Sequence, residues 1–203
     1  MQKKKNNNWT TLSQEKLKIE LGCGDNKKEG YFGVDIVDLP NVDLVMDIEK
    51  GLTELKSNSV DEFYSRHLME HIVNFKLLQK EIHRTLKDGG VQIMTVPHFS
   101  NKYYYSDPTH VRFFGLYSMS YFEKRSYFKR TLPNFYYDFN FDLVSVHLGF
   151  RNSRFGIKNI MGKYVYEKVF NLSTKMQEIY EMFFTNLISC TELTFVVKKN
   201  ETS

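Results

Sequence analysis

The sequence predicts a Rossmann-like α/β fold, a doubly wound, seven-stranded, mostly parallel sheet with an aromatic-rich helical insertion and C-terminal half. Three observations carry this. The alternation Leu17, Ile19, Leu21 runs straight into Gly22-Cys23-Gly24-Asp25, a strand entering a glycine-bent turn where backbone can approach a ligand closely. About ten residues later a second apolar run, Tyr31-Phe32-Gly33-Val34, ends in Asp35, where a carboxylate is placed to accept hydrogen bonds from two ribose hydroxyls. Strand, turn and helix then alternate, as in an open sheet wound on both faces.

The elements follow in order. Residues 1–10 are polar and Lys/Asn-rich and are expected to fray, and Thr11 with Gln14 can cap one short helix. Strands are expected at Leu17 to Leu21, Tyr31 to Asp35, Val42 to Asp47 and Val60 to Ser65. Phe75, Leu78, Ile82 and Leu86 recur at spacings of three and four, the apolar stripe of a surface helix, which Asp88-Gly89-Gly90 should stop. Val91 to Val96 is mostly apolar, as a strand covered on both faces should be, and Pro97 ends it. Phe141 to Leu148 and Leu193 to Lys198 complete the sheet at one edge.

The loops from Leu21 to Tyr31 and from Asp35 to Val42 are too short for crossover helices, so one face of the sheet should be thinly covered. The aromatic-rich segments 100–137 and 151–190 are candidates to cover it or to line the substrate side, and a second copy in a homodimer is the other candidate.

At 203 residues, with 41% hydrophobic and 26% charged side chains, the chain fits one domain, 1–203. A formal charge of +4, concentrated only at Lys3-Lys4-Lys5 and between Lys124 and Arg130, weighs against nucleic acid. No apolar stretch approaches the roughly 18 to 20 residues that cross a bilayer, and the start lacks a signal peptide's apolar segment, so a cytoplasmic location is expected. Cys23 and Cys190 have neither redox nor metal-ligand spacing, and no metal site is expected.

With these motifs placed, the sequence resembles the class I S-adenosylmethionine-dependent methyltransferases. Glu20-Leu21-Gly22-Cys23-Gly24, Val34-Asp35, Val45-Met46-Asp47 and the run His67-Leu68-Met69-Glu70-His71 through Gly89-Gly90 match that family's strings in order. Val96-Pro97-His98-Phe99 and Asp107-Pro108-Thr109-His110-Val111-Arg112 extend the likeness to a bacterial subgroup, some of whose members are associated with surface glycans or other small molecules. Asn26 stands where many members have a third glycine.

The resemblance implies S-adenosylmethionine as cofactor. Glu20, Gly22, Cys23 and Gly24 would form its turn, Asp35 with Ile36 would meet the ribose side, Asp47 and Ile48 the adenine, and Arg66 and His67 the sulfonium end. A ligand-free turn competes for the glycines, and helix capping competes for Asp47. Methyl transfer to a hydroxyl needs a base, for which His110 oriented by Asp107, His98 and His71 are the candidates, a packed histidine beside a helix cap being the competing reading. Tyr103, Tyr104 and Tyr105 would form a lid, and Arg112 would pair with an acidic substrate or with Asp107. The expected enzyme methylates a small molecule such as a sugar or glycan precursor. The alternatives are a nucleic-acid or protein methyltransferase, or a non-catalytic cofactor-binding scaffold.

Overall fold

The computed structural model describes residues 16–130, 132–133, 135–150 and 162–200, and the expected Thr11/Gln14 cap and frayed start lie outside them. Strands β1 (Lys18–Leu21), β2 (Phe32–Asp35), β3 (Leu44–Val45), β4 (Val60–Arg66), β5 (Leu86–Pro97), β6 (Phe141–Gly149) and β7 (Glu192–Lys199) form one sheet in the order β3-β2-β1-β4-β5-β7-β6. The first five are parallel, and β7 runs antiparallel to both β5 and β6. This is the Rossmann-like architecture that the strand pattern predicts.

Residues paired across neighbouring strands share a face. Ile19, Leu21, Val34, Phe63, Met94 and Phe195 line one face and are at most 1% exposed. Their neighbours Lys18, Glu62, Tyr64, Ile93 and Val196 line the other and are only half-buried. The difference follows from what packs on each side.

On the fully buried face lies helix α1 (Phe75–Thr85), which sinks Leu78 and Ile82 into the core. Its first turn is held by the Glu49 carboxylate, which accepts the Val73 and Asn74 amides at 2.6 and 2.8 Å. The expected stop at Asp88-Gly89-Gly90 is corrected. The helix ends at Thr85, because Leu86 already pairs with Val60 of β4, and residues 87–90 bulge out before pairing resumes between Glu62 and Val91.

The expectation that the aromatic segments cover the thin face is also corrected. Phe114 and Phe122 pack against Phe75 of α1, with ring centroids 5.7 and 5.8 Å apart, so the first segment lies on the buried face. The described part of the second, 162–190, caps the edge strand: Asn171 bonds both the Leu148 amide and carbonyl at 2.8 Å, and Gln177 donates to Val146 O at 2.5 Å. The thin face takes the β1–β2 loop instead. Cys23 is buried against Gly33, where a Cβ would lie 2.7 Å from its sulfur, and the Lys28 ammonium sits 4.2 Å from the Tyr64 ring centroid. Among the described residues no helix is long and apolar enough to cross a membrane.

Candidate active site

The carboxyl ends of β1 and β2 meet in a turn that two glycines make possible. Gly22 and Gly24 have φ of +67° and +53°, the left-handed region that side chains disfavour. A Cβ on Gly22 would lie 2.7 Å from Leu68 Cδ1, whereas nothing lies within 4 Å of one on Gly24, whose outer side is open. Asp35 closes the turn: one carboxylate oxygen accepts the Gly24 amide at 2.8 Å and the other the Val37 amide at 3.0 Å. Each oxygen keeps a further lone pair. Ile36 and Val45, the latter paired in register with Asp35, leave apolar surface exposed beside this carboxylate, a wall suited to a flat ring.

The other residues expected at this end are placed differently. Glu20 is buried and accepts the Lys28 amide at 2.6 Å, so it braces the returning limb of the loop. Burial and the nearby Asp35 and Glu20 push the Cys23 thiol up to about 11, which keeps it neutral and leaves its backbone as the part facing the turn. Asp47 caps the short turn Ile48–Lys50 through the Glu49 amide at 3.1 Å and pairs with Lys50 at 3.0 Å, the capping role that competed in the sequence. The Lys50 pairing holds its carboxyl below the usual range. Ile48 lies buried behind it.

β4 delivers Arg66 and His67 to the same edge. His67 has φ +51°, a conformation uncommon for a residue with a Cβ, and is pinned by its amide bond to Thr95 O at 2.9 Å. Glu192 at the start of β7 lies 3.5 Å from His67 Nε2 and 3.4 Å from the Arg66 guanidinium. Glu70 Oε1 lies 3.5 Å from His67 Nδ1. Glu192 and Glu70 together raise the imidazole pKa to about 9, so His67 is a cation at neutral pH.

The third part of the site gathers around His110. No helix follows Asp107 directly, so the helix-cap reading of this residue is corrected. Thr109 donates both its amide (2.9 Å) and its hydroxyl (2.5 Å) to Asp107 Oδ1, a side-chain turn that diverts the chain, and Val111 then bonds Glu70 O at 2.9 Å. His110 Nδ1 faces the Tyr104 carbonyl at 2.9 Å and therefore carries a proton, and Nε2 points towards Asp107 Oδ2 (3.6 Å) and Glu70 Oε1 (4.0 Å). Asp107 is thus not the group that orients the imidazole; the Tyr104 carbonyl is. His71 bonds Thr109 Oγ1 at 2.9 Å and packs edge-on against His110, with centroids 4.7 Å apart.

Three further expectations are corrected. His98 is fully buried: Nδ1 accepts the Ser100 amide at 3.0 Å and Nε2 meets Glu181 Oε1 at 3.3 Å, so both ring nitrogens are used within the core. Arg112 lies over the Phe75 ring and donates to the Val73 carbonyl at 3.1 Å, tying its loop to the start of α1. Tyr104 is buried, stacked 4.5 Å from His110 and donating to Arg112 O at 2.6 Å, while Tyr103 and Tyr105 stay exposed above it.

Sequence reasoning passed over Glu70 and Thr109 as members of the cluster and missed Glu192 altogether. The position of Glu70, three residues after His67 and next to His71, offered a hint for Glu70 alone. Surface cavities of about 300 Å³, lined by Lys124, Asp142 and Lys198 among others, and about 450 Å³, lined by Val73, Lys80 and Tyr137 among others, border none of Asp35, His67 or His110. The turn, the β4 edge and the His110 cluster lie along the carboxyl ends of the strands, the edge at which open α/β sheets bind ligands.

Residues 28–94 match the family model described as a methyltransferase domain. Comparison with curated proteins finds no match. Among solved structures, the chain is similar to an S-adenosylmethionine-dependent methyltransferase from Archaeoglobus fulgidus, at 15% identity and TM-score 0.54, over 95% of this chain and 90% of that one. It is also similar to phosphoethanolamine N-methyltransferase 2 of Haemonchus contortus in complex with S-adenosyl-L-methionine, at 16% identity and TM-score 0.56, over 95% of this chain and 51% of that one. A third similarity is to the complex of the Haloferax volcanii Trm112 activator and a methyltransferase, at 13% identity and TM-score 0.53, over 92% and 83% of the two chains. The open side of Gly24, the outward lone pairs of Asp35 and the apolar wall of Ile36 and Val45 fit an adenosine with an extended tail.

Proposed function

We propose that the protein is a class I S-adenosylmethionine-dependent methyltransferase that acts as one unit over its whole length to methylate a hydroxyl of a small molecule, a sugar or glycan precursor being the class favoured. The cofactor supplies an electrophilic methyl group on a sulfonium. The chain's own task is to align the acceptor and remove its proton.

Asp35 holds the ribose, Ile36 and Val45 flank the adenine, and the Gly22–Gly24 backbone lies against the tail. The observation that carries the hydroxyl reading is the His110 nitrogen that faces Asp107 and Glu70 beside the β4 edge. An acceptor O–H that gives its proton to Nε2 leaves an imidazolium flanked by two carboxylates, a charge the site is built to receive. An acceptor that was already deprotonated would need no such arrangement. Exposed Tyr103, Tyr105 and Phe113 around this position offer ring faces to a sugar's C–H surface, and the scattered basic charge offers no track for a nucleic acid backbone.

The test is release of S-adenosylhomocysteine from S-adenosylmethionine in the presence of a panel of sugars, sugar nucleotides, phenols and amines. Turnover with a hydroxyl acceptor is expected. Turnover with amines alone would overturn the hydroxyl assignment.

A further inference from the structure

Glu70, His71 and His110 each place a ligand atom within 4.8 Å of the other two. We propose that they form a binding site for a divalent first-row transition ion, Zn2+ or Co2+ rather than Mg2+ or Ca2+. The donor set is two imidazoles and one carboxylate, which suits ions of intermediate softness and leaves positions open for a further ligand.

The hydrogen bonds around the cluster prepare these donors. The Tyr104 carbonyl can only accept, so it fixes the proton of His110 on Nδ1 and frees Nε2. Thr109 has one hydroxyl proton and spends it on the Asp107 carboxylate, so towards His71 it can only accept, which fixes that proton on Nδ1 as well. Both imidazoles thereby keep their Nε2 lone pair, and each has the outer partner, a carbonyl or a carboxylate-linked hydroxyl, that metal-ligating histidines carry.

An independent observation points the same way. Glu70 is 1% exposed, and its Oε2 has no hydrogen-bond partner among the described residues. Oε1 is shared between His67 and the His110 side, which leaves Oε2 as a buried acceptor whose desolvation nothing offsets. A cation answers that defect. Ligands of one ion at about 2.1 Å lie roughly 3.4 Å apart, so closing a 4.8 Å cluster asks for side-chain shifts of about 1 Å, within reach of the two partly buried histidines. An ion there would lower the pKa of a coordinated acceptor hydroxyl, the task otherwise left to the free imidazole. That adjacency rests on the proposed methyl-transfer reading; binding of the ion does not.

The experiment uses the full chain, stripped with a chelator and titrated with ZnCl2, CoCl2 or MgCl2 by calorimetry and, for Co2+, by visible absorption, without S-adenosylmethionine present. One equivalent of Zn2+ or Co2+ is expected to bind, with Mg2+ giving no heat. His71→Ala, His110→Ala and Glu70→Gln should each weaken Zn2+ binding by about 100-fold, while His147→Ala, at a His–Glu pair on the far edge strand, should leave it unchanged. Where an alanine variant lacks a cooperative melt, His71→Asn and His110→Gln take its place. Absence of saturable Zn2+ binding, or binding that survives both histidine replacements, overturns the proposal. S-adenosylhomocysteine binding measured on the same samples shows separately whether the cofactor reading stands.

Discussion

Replacing Asp35 should cost more affinity than any other single change at the nucleoside end. Its two oxygens each accept one backbone amide, from Gly24 at 2.8 Å and Val37 at 3.0 Å, and each has one lone pair left for a ribose hydroxyl. A hydrogen bond to a charged group contributes about 1.5–3 kcal/mol, and the half-exposed position argues for the lower figure. Two such bonds come to about 3 kcal/mol, or roughly 100-fold in Kd. Asp35→Asn should be no milder than Asp35→Ala, because its NH2 group must face one of the two amides that the carboxylate accepts. Calorimetric titration with S-adenosylhomocysteine, repeated with an analogue lacking both ribose hydroxyls, reads the effect. The reasoning fails if Asp35→Ala binds the natural ligand within about 3-fold of wild type, or loses the same factor with the analogue.

His110→Ala should leave S-adenosylhomocysteine binding intact and lower kcat by about 100-fold or more, the usual weight of a lost general base; equal losses in both, or a collapsed melt, would assign the residue to packing. Glu81→Gln should lower the melting temperature by roughly 3 °C, since Glu81 accepts from Arg84 at 2.7 and 2.8 Å and from the Leu52 amide at 3.1 Å on a partly exposed surface, a combination worth about 1 kcal/mol. Arg84 holds the Glu81 carboxyl below its usual range, so this contribution is present at neutral pH and fades as pH falls below about 4. A deficit in the Gln variant that stays constant down to pH 3 would contradict the ion-pair account.

The parts of the fold that could be read from the chain are those written in local pattern. The Leu17, Ile19, Leu21 alternation, the left-handed Gly22 and Gly24 and the stripe Phe75, Leu78, Ile82 all depend on residues a few positions apart. The parts that could not be read depend on distant partners. Helix α1 stops early because Leu86 is claimed by Val60 across the sheet. Asp107 looks like a helix cap, yet Thr109 and the Val111–Glu70 bond pull the chain out of helical geometry. Arg112 is captured by the Val73 carbonyl, and Glu192 reaches Arg66 over a separation of 126 positions. The Glu70, His71 and His110 cluster was invisible for the same reason, because its spacing follows no linear motif and exists only once the two loops meet.

The missing helix after β1 has a consequence for the cofactor's amino-acid tail. A helix there would offer its N-terminal amides and the positive end of its dipole to the tail's carboxylate. This chain has a loop in which Lys27 is paired with Asp43 and Lys28 is laid over Tyr64, so neither lysine is available. Charge of both signs stands instead at the β4 edge, where Arg66 and cationic His67 share Glu192. That arrangement complements a tail that carries an ammonium and a carboxylate. Arg66→Gln and Glu192→Gln should therefore weaken S-adenosylhomocysteine while leaving free adenosine unaffected. Because Arg66 is exposed, the effect should be about 3-fold to 5-fold at low salt and shrink as ionic strength rises. Equal weakening of adenosine would mean that these residues shape the nucleoside end, and the tail would have to be held by the Gly24 backbone alone.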